Sequence, residues 1–220
     1  MDVVGGIPHF ERTSEQGALS VKLLCELAAA QGKLVDMHCD ESDDPLSRHI
    51  ETLAFETQRL GLNGRVTAIS PEVATTATPS GRGMTRVPEL LAHGVTVAFG
   101  HDCVMDPWYS LGSADMLEVA SMGLHVAQMT SQAAMRQCFD AVTTSAAKIL
   151  HLEGYGIAKG CNADFVLLQA QDPIEAIRLR ATRLQVFRRG KRVAQSPAAT
   201  ASLNLPGRPQ TTSLMHSRHS

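Results

Sequence analysis

The sequence predicts an α/β protein built on a parallel sheet, and three patterns carry that prediction. Over residues 2–70, short apolar runs alternate with longer segments of helical spacing, a β-α-β-α-β order that places crossover helices between parallel strands. Over residues 95–102, Val95-Thr96-Val97-Ala98-Phe99-Gly100-His101-Asp102 alternates with the two-residue period of a strand. After Gly154, short strand-like runs predict a small β part appended to the α/β body.

In order, Asp2-Val3-Val4-Gly5-Gly6-Ile7-Pro8-His9 reads as a strand running straight into a loop. Ala18, Val21, Leu24, Cys25, Ala28 and Ala29 recur at helical spacing, which predicts a helix from about Ser14 to Ala30 with Gly32 as its stop. Lys33 to Met37 is the next strand, and alternation puts Asp36 and His38 on one face with Val35, Met37 and Cys39 on the other. A second helix is expected from Pro45 to about Leu60, capped by Asp44 and burying Leu46, Ile50, Leu53, Ala54 and Leu60, with His49 at its surface. Arg65 to Ser70 reads as a third strand. The Pro- and Thr-rich run Pro71 to Gly81 has no helical face and reads as a loop.

A third helix is expected from about Thr85 to Ala92, with Val87, Leu90 and Leu91 inward and Gly94 as its stop. In the strand that follows, Val95, Val97 and Phe99 should face covering helices. Thr96, Ala98, Gly100 and Asp102 share a second, roomier face, and His101 points away from it. Trp108, the single tryptophan, falls in the loop Asp106-Pro107-Trp108-Tyr109, where it can cover the core edge or wall a pocket. Helical spacing returns over 113–129, 131–142 and 145–150, with Met116, Met122, Met129 and Met135 as core filler. Strands are expected at Asp164–Gln169, at Arg183–Arg188 and from the Gly190 turn to near Ala194. The expected organisation is thus 1–153 as the α/β body, 154–195 as the β appendage and 196–220 as a disordered tail.

A net charge of −2 provides no basic field for nucleic acid or an anionic membrane, and a small neutral partner suits it better. The basic cluster Arg188-Arg189-Gly190-Lys191-Arg192 flanks a turn and reads as a solvated hairpin. Five cysteines, odd in number and without Cys-x-x-Cys spacing, point to reduced thiols and a cytoplasmic setting. No apolar run reaches the roughly 20 residues of a membrane span.

The chemistry centres on Met37-His38-Cys39-Asp40-Glu41-Ser42-Asp43-Asp44. A histidine at the carboxyl end of a strand with a carboxylate just beyond it suits a metal ligand beside an acid/base group. Taken alone, it suits a satisfied histidine hydrogen-bonded in a polar loop better.

Taken together, Met37-His38-Cys39-Asp40-Glu41-Ser42-Asp43-Asp44, Gly83-Met84-Thr85-Arg86-Val87, Phe99-Gly100-His101-Asp102 and Asp106-Pro107-Trp108-Tyr109 resemble the bacterial cytosine deaminases of the amidohydrolase superfamily. The resemblance implies a (β/α)8 TIM-type barrel with a small β-sandwich, and one divalent metal, Fe2+ or Zn2+, that serves hydrolysis of cytosine to uracil and ammonia. It implies that His38 and Asp102 bind the metal, that Glu41 and Asp102 are catalytic, and that Trp108 lines the pyrimidine pocket. A small-molecule pyrimidine substrate and a homo-oligomer are expected, with no nucleic-acid or membrane partner.

The chain also departs from that family. No His-x-His pair occurs, and Pro71 with its threonine-rich loop stands where a histidine should follow the third strand. Cys103 stands where some relatives carry a second aspartate. The expected architecture is therefore an incomplete barrel, lacking its first strands and carrying an excision near Pro71. Two other readings stay open: a related enzyme acting on another cyclic amidine or amide, and an inactive remnant serving as a binding or assembly chain.

Overall fold

The computed structural model describes residues 2–42, 44, 46–69, 85–107, 110–202, 204–207 and 211–212. It forms two compact units, Met1–Val87 and Pro88–Ser220. The boundary expected at residue 153 lies inside the second of them.

The first unit is built as the alternation demands. Strand β1 (Val3–Gly6), helix α1 (Ser14–Gln31), strand β2 (Leu34–His38), helix α2 (His49–Arg59) and strand β3 (Val66–Ile69) follow one another, with a 3₁₀ turn at Pro8–Phe10. The strands pair in parallel in the order β1-β2-β3, with Gly5 opposite Asp36 and Asp36 opposite Thr67. Thr13 caps α1 through its side chain, and Gly32 ends it at φ 65°, a left-handed conformation that glycine adopts without a Cβ penalty. Val4, Val35, Met37 and Cys39 are buried against Val21, Cys25, Ala28, Leu53 and Leu62, so one sheet face packs under the two helices. Asp36 and His38 occupy the other face, as the period of two requires.

Helix α2 departs from expectation. It begins at His49, not Pro45, and Arg48 at its N-cap provides no side-chain cap. Asp44 instead accepts from the backbone amide of Leu46, a local turn, and Leu46 is 78% exposed. Ala54 is exposed, while Glu56 takes a buried place and holds Arg59, which also reaches Glu26 on α1. The amphipathic pattern located the helix, but the capping groups came from elsewhere in the chain.

Helix α3 (Val87–Ala92) spans the boundary between the units. The strand expected at 95–102 is absent: among the described residues the segment pairs with no strand. Phe99 meets α4 (Met116–Val126), since a Cβ on Gly123 would lie 2.7 Å from its ring, and its amide donates to Ala141 at the end of α5 (Gln132–Ala141). Val95, expected inward, is exposed. Alternation decides which side chains share a face, but a strand needs a backbone partner, and here a helix carbonyl takes that place.

Asp115 and Ser131 cap α4 and α5, and α6 (Thr144–Ile149) follows. Met129 is buried against Cys138, whereas Met122 lies exposed. The β part is an antiparallel sheet of β4 (Phe165–Leu168), β5 (Arg183–Arg188) and β6 (Lys191–Gln195), with Phe165 stacked on Phe187. Arg189 and Gly190, at φ 48° and 74°, make the tight turn between β5 and β6, with the basic residues on the solvated hairpin. Helix α7 (Pro173–Leu179) between β4 and β5 was not foreseen, although Asp172 capping Glu175 ahead of Pro173 is a legible start signal. Arg183 of β5 pairs with both carboxylate oxygens of Asp115, tying the sheet to the start of α4. In the expected disordered tail, β7 (Ala201–Ser202) pairs with β8 (Thr211–Thr212).

Candidate active site

His38 is the last residue of β2 and emerges at the carboxyl end of a parallel sheet, the edge where α/β folds place their ligands. The amide of Cys39 still donates to Ile69, so the ladder extends one residue beyond the strand. At Asp40 the backbone turns left-handed, with φ 61°. That reversal brings Glu41 back over the strand end, where its Oε2 lies 3.4 Å from His38 Nδ1. Both side chains remain partly open to solvent, at 38% and 43%.

With Nδ1 turned toward a carboxylate, the favoured neutral tautomer carries its proton there and leaves the Nε2 lone pair available. No hydrogen bond to Nε2 is found among the described residues. Below it on the same strand face, Asp36 has one buried carboxylate oxygen without a hydrogen-bond partner. Burial raises its pKa, and nearby His38 opposes the rise.

Asp40 is only 2% exposed and accepts four hydrogen bonds. Its Oδ1 takes those from the Ser47 hydroxyl at 2.7 Å, the His49 amide at 2.8 Å and His49 Nδ1 at 2.9 Å; its Oδ2 takes the Ile50 amide at 2.9 Å. Burial pushes its pKa up, yet these hydrogen bonds outweigh burial and leave it lowered. The carboxylate therefore stays charged and supplies the cap that Arg48 does not. His49, expected at the surface, is 6% exposed, with Nε2 buried against α1 at Gly17. Asp40, Ser47 and His49 are what the sequence reading missed. A helix whose N-cap is arginine, preceded by an aspartate just past a strand, was the available signal.

Asp102, in the second unit, is exposed and adopts φ 57°. It does not end a strand, since the segment before it forms none. The adjacent Cys103 thiol is pushed up to about 11, first by its hydrogen bond to Asp106, and so remains protonated at neutral pH. His101 Nδ1 engages the Cys103 carbonyl. Trp108 and Pro71 lie outside the described residues. Among the described residues, no group of three or more His, Cys, Asp or Glu side chains converges to hold a metal ion, and no helix is long and apolar enough to cross a membrane.

Residues 70–194 match the Amidohydrolase family, and the chain belongs to it. It aligns with the crystal structure of 5-methylcytosine deaminase from Klebsiella pneumoniae liganded with phosphonocytosine, at 35% identity and a TM-score of 0.82, covering 93% of this chain and 58% of that one. It is 30% identical to a pterin deaminase from Rhizobium rhizogenes over 79% of this chain and 48% of that protein. It is 27% identical to an N-isopropylammelide isopropyl amidohydrolase from Pseudomonas sp. strain ADP over 91% of this chain and 55% of that protein. The chain thus spans about half the length of the curated relatives it matches. These relationships place its α/β architecture in the TIM-type barrel class.

Proposed function

We propose that the chain carries part of the machinery for metal-dependent hydrolytic deamination of a cyclic amidine, with cytosine as the first substrate to test. The observation that carries this reading is the His38–Glu41 pair at the mouth of a parallel sheet, a ligand-ready imidazole beside an acid/base carboxylate. Similarity to 5-methylcytosine deaminase supports the substrate class. The pterin deaminase and isopropylammelide relatives support a second reading, in which another amino-substituted nitrogen heterocycle is used.

In the proposed chemistry, which rests on the family resemblance, His38, through Nε2, and Asp102 are each assigned as a ligand to a divalent iron or zinc ion. When bound, such an ion supplies hydroxide at neutral pH by lowering the pKa of water toward ~7. Asp102 takes the proton from the attacking water. Glu41 protonates the ring nitrogen beside the attacked carbon, then delivers a proton to the departing amine, so that water is consumed and ammonia released. Trp108 is proposed as the flat wall of the pocket. The incomplete barrel, the small sandwich-like β part with the divisions at 153/154 and 195/196, the homo-oligomer and the cytoplasmic setting belong to the same proposal.

The test is to supply zinc or ferrous iron to the purified chain, measure bound metal, and follow ammonia release from cytosine, 5-methylcytosine, a pterin and an N-alkylated ammelide. Because catalytic zinc sites use about three protein ligands and only two are assigned here, the expected result is weak metal uptake and turnover far below that of a complete deaminase. Glu41→Gln should keep the metal and lose the residual turnover. Loss of metal in that variant would reassign Glu41 as a ligand. Absence of any uptake would favour the inactive remnant.

A further inference from the structure

We propose that Asp40 is a positioning residue for Glu41, fixing the loop after β2 to the first turn of α2 so that the Glu41 carboxylate is held over His38. The inference rests on the reading of His38 and Glu41 as the ligand and acid/base pair.

Geometry is the argument. Three residues of extended chain advance by ~10 Å, which would carry Glu41 away from His38. The observed 3.4 Å contact exists because the backbone reverses at Asp40, at φ 61°. An L-residue disfavours that conformation, and aspartate tolerates it only moderately well. Something must therefore hold it, and the side chain of the same residue does so through its bonds to Ser47, His49 and Ile50. One carboxylate thus pins both ends of the 40–50 connection, while Glu41 itself stays half exposed and gains little order from packing.

A local N-cap would hold α2 equally well, and by itself a cap requires no residue eight positions before Arg48. Distant capping makes sense if the loop geometry is what is being held. The two roles separate in a double variant. Asp40→Gly keeps the left-handed backbone accessible and removes the carboxylate. Arg48→Asp then restores a cap at the helix's own N-cap.

The experiment uses the full metal-free chain and reads two quantities: the thermal midpoint, and the nuclear Overhauser effect between the His38 ring and the Glu41 side-chain methylenes. The expected result is that Asp40→Gly lowers the midpoint and loses the Overhauser effect. Asp40→Gly/Arg48→Asp should regain at least half of the lost midpoint and still lack it. An effect within twofold of wild type in either the single or the double variant, or none in wild type, overturns the proposal and leaves Asp40 a helix cap. If Asp40→Gly does not fold, Ser47→Ala decides, because it removes one of the four hydrogen bonds and leaves both capped amides in place. At least a twofold weakening of the same effect supports the proposal, and an unchanged one overturns it. Metal binding and ammonia release test the functional reading separately, so its failure does not alter this comparison.

Discussion

Gly17→Ala is a substitution for which two principles predict opposite signs and the structure decides between them. Gly17 lies in the first turns of α1, where alanine should gain up to ~1 kcal/mol in helix propensity. A Cβ there, however, would stand 2.2 Å from His49 Nε2 and 2.7 Å from the Pro8 carbonyl. The carbonyl is backbone and cannot swing aside. The His49 ring can move only by lengthening its 2.9 Å bond to Asp40. Forcing the contact costs ~1–3 kcal/mol as overpacking; releasing it by breaking a hydrogen bond to a charged group costs ~1.5–3 kcal/mol. These are alternative routes for one strain, so the net expectation after the propensity gain is a loss of up to about 2 kcal/mol, or up to roughly 8 °C in midpoint for a chain of this size. Thermal and urea unfolding would measure it. In a His49→Ala background the ring contact is gone and the Pro8 carbonyl remains, so Gly17→Ala should cost less than it does in the wild-type chain. A higher midpoint for Gly17→Ala in the otherwise wild-type chain would show that His49 is not seated against α1, and the account of Asp40 would lose its anchor.

The other predictions concern charge. Arg183→Ala should destabilise the second unit at neutral pH, since it strips Asp115 of its two guanidinium bonds. Burial raises the Asp115 pKa, but Arg183 and the capped amides outweigh burial and lower it. A depressed carboxylate stabilises above its unfolded value near ~3.9 and loses that contribution as pH falls through the folded value. Urea midpoints of wild type and variant should therefore converge as pH falls below about 4, and a constant gap would refute the pairing. Asp102→Asn should remove any metal-dependent ammonia release while leaving the circular dichroism spectrum unchanged, because an amide cannot take up the water proton. Retained turnover would make Asp102 structural.

Much of the first unit was legible because local rules and tertiary need agree there. The run around Val35 and Met37 is apolar on alternate positions because one face is buried, and Gly32 ends α1 because only a left-handed residue fits. The same alternation put His38 on the open face at the strand end, whereas its contact with Glu41 depends on the left-handed turn at Asp40. Segment 95–102 shows where such reading stops: its period is clear, yet Phe99 bonds to a helix carbonyl because no strand lies beside it among the described residues. Asp172-Pro173 shows a different limit, a start signal that was present and not weighed.

What the sequence determined by itself is what repeats locally: the alternation of strands and helices, the faces they present, and the histidine and glutamate at the end of β2. What only the tertiary structure decided is which distant groups complete those elements. Asp40 capping α2 across the loop, His49 turning inward against Gly17, and Arg183 holding Asp115 all join residues far apart in the chain. Periodicity reports on burial within one element. Such bonds depend on where buried polar groups of separate elements meet, and leaving one unpaired in the interior is costly.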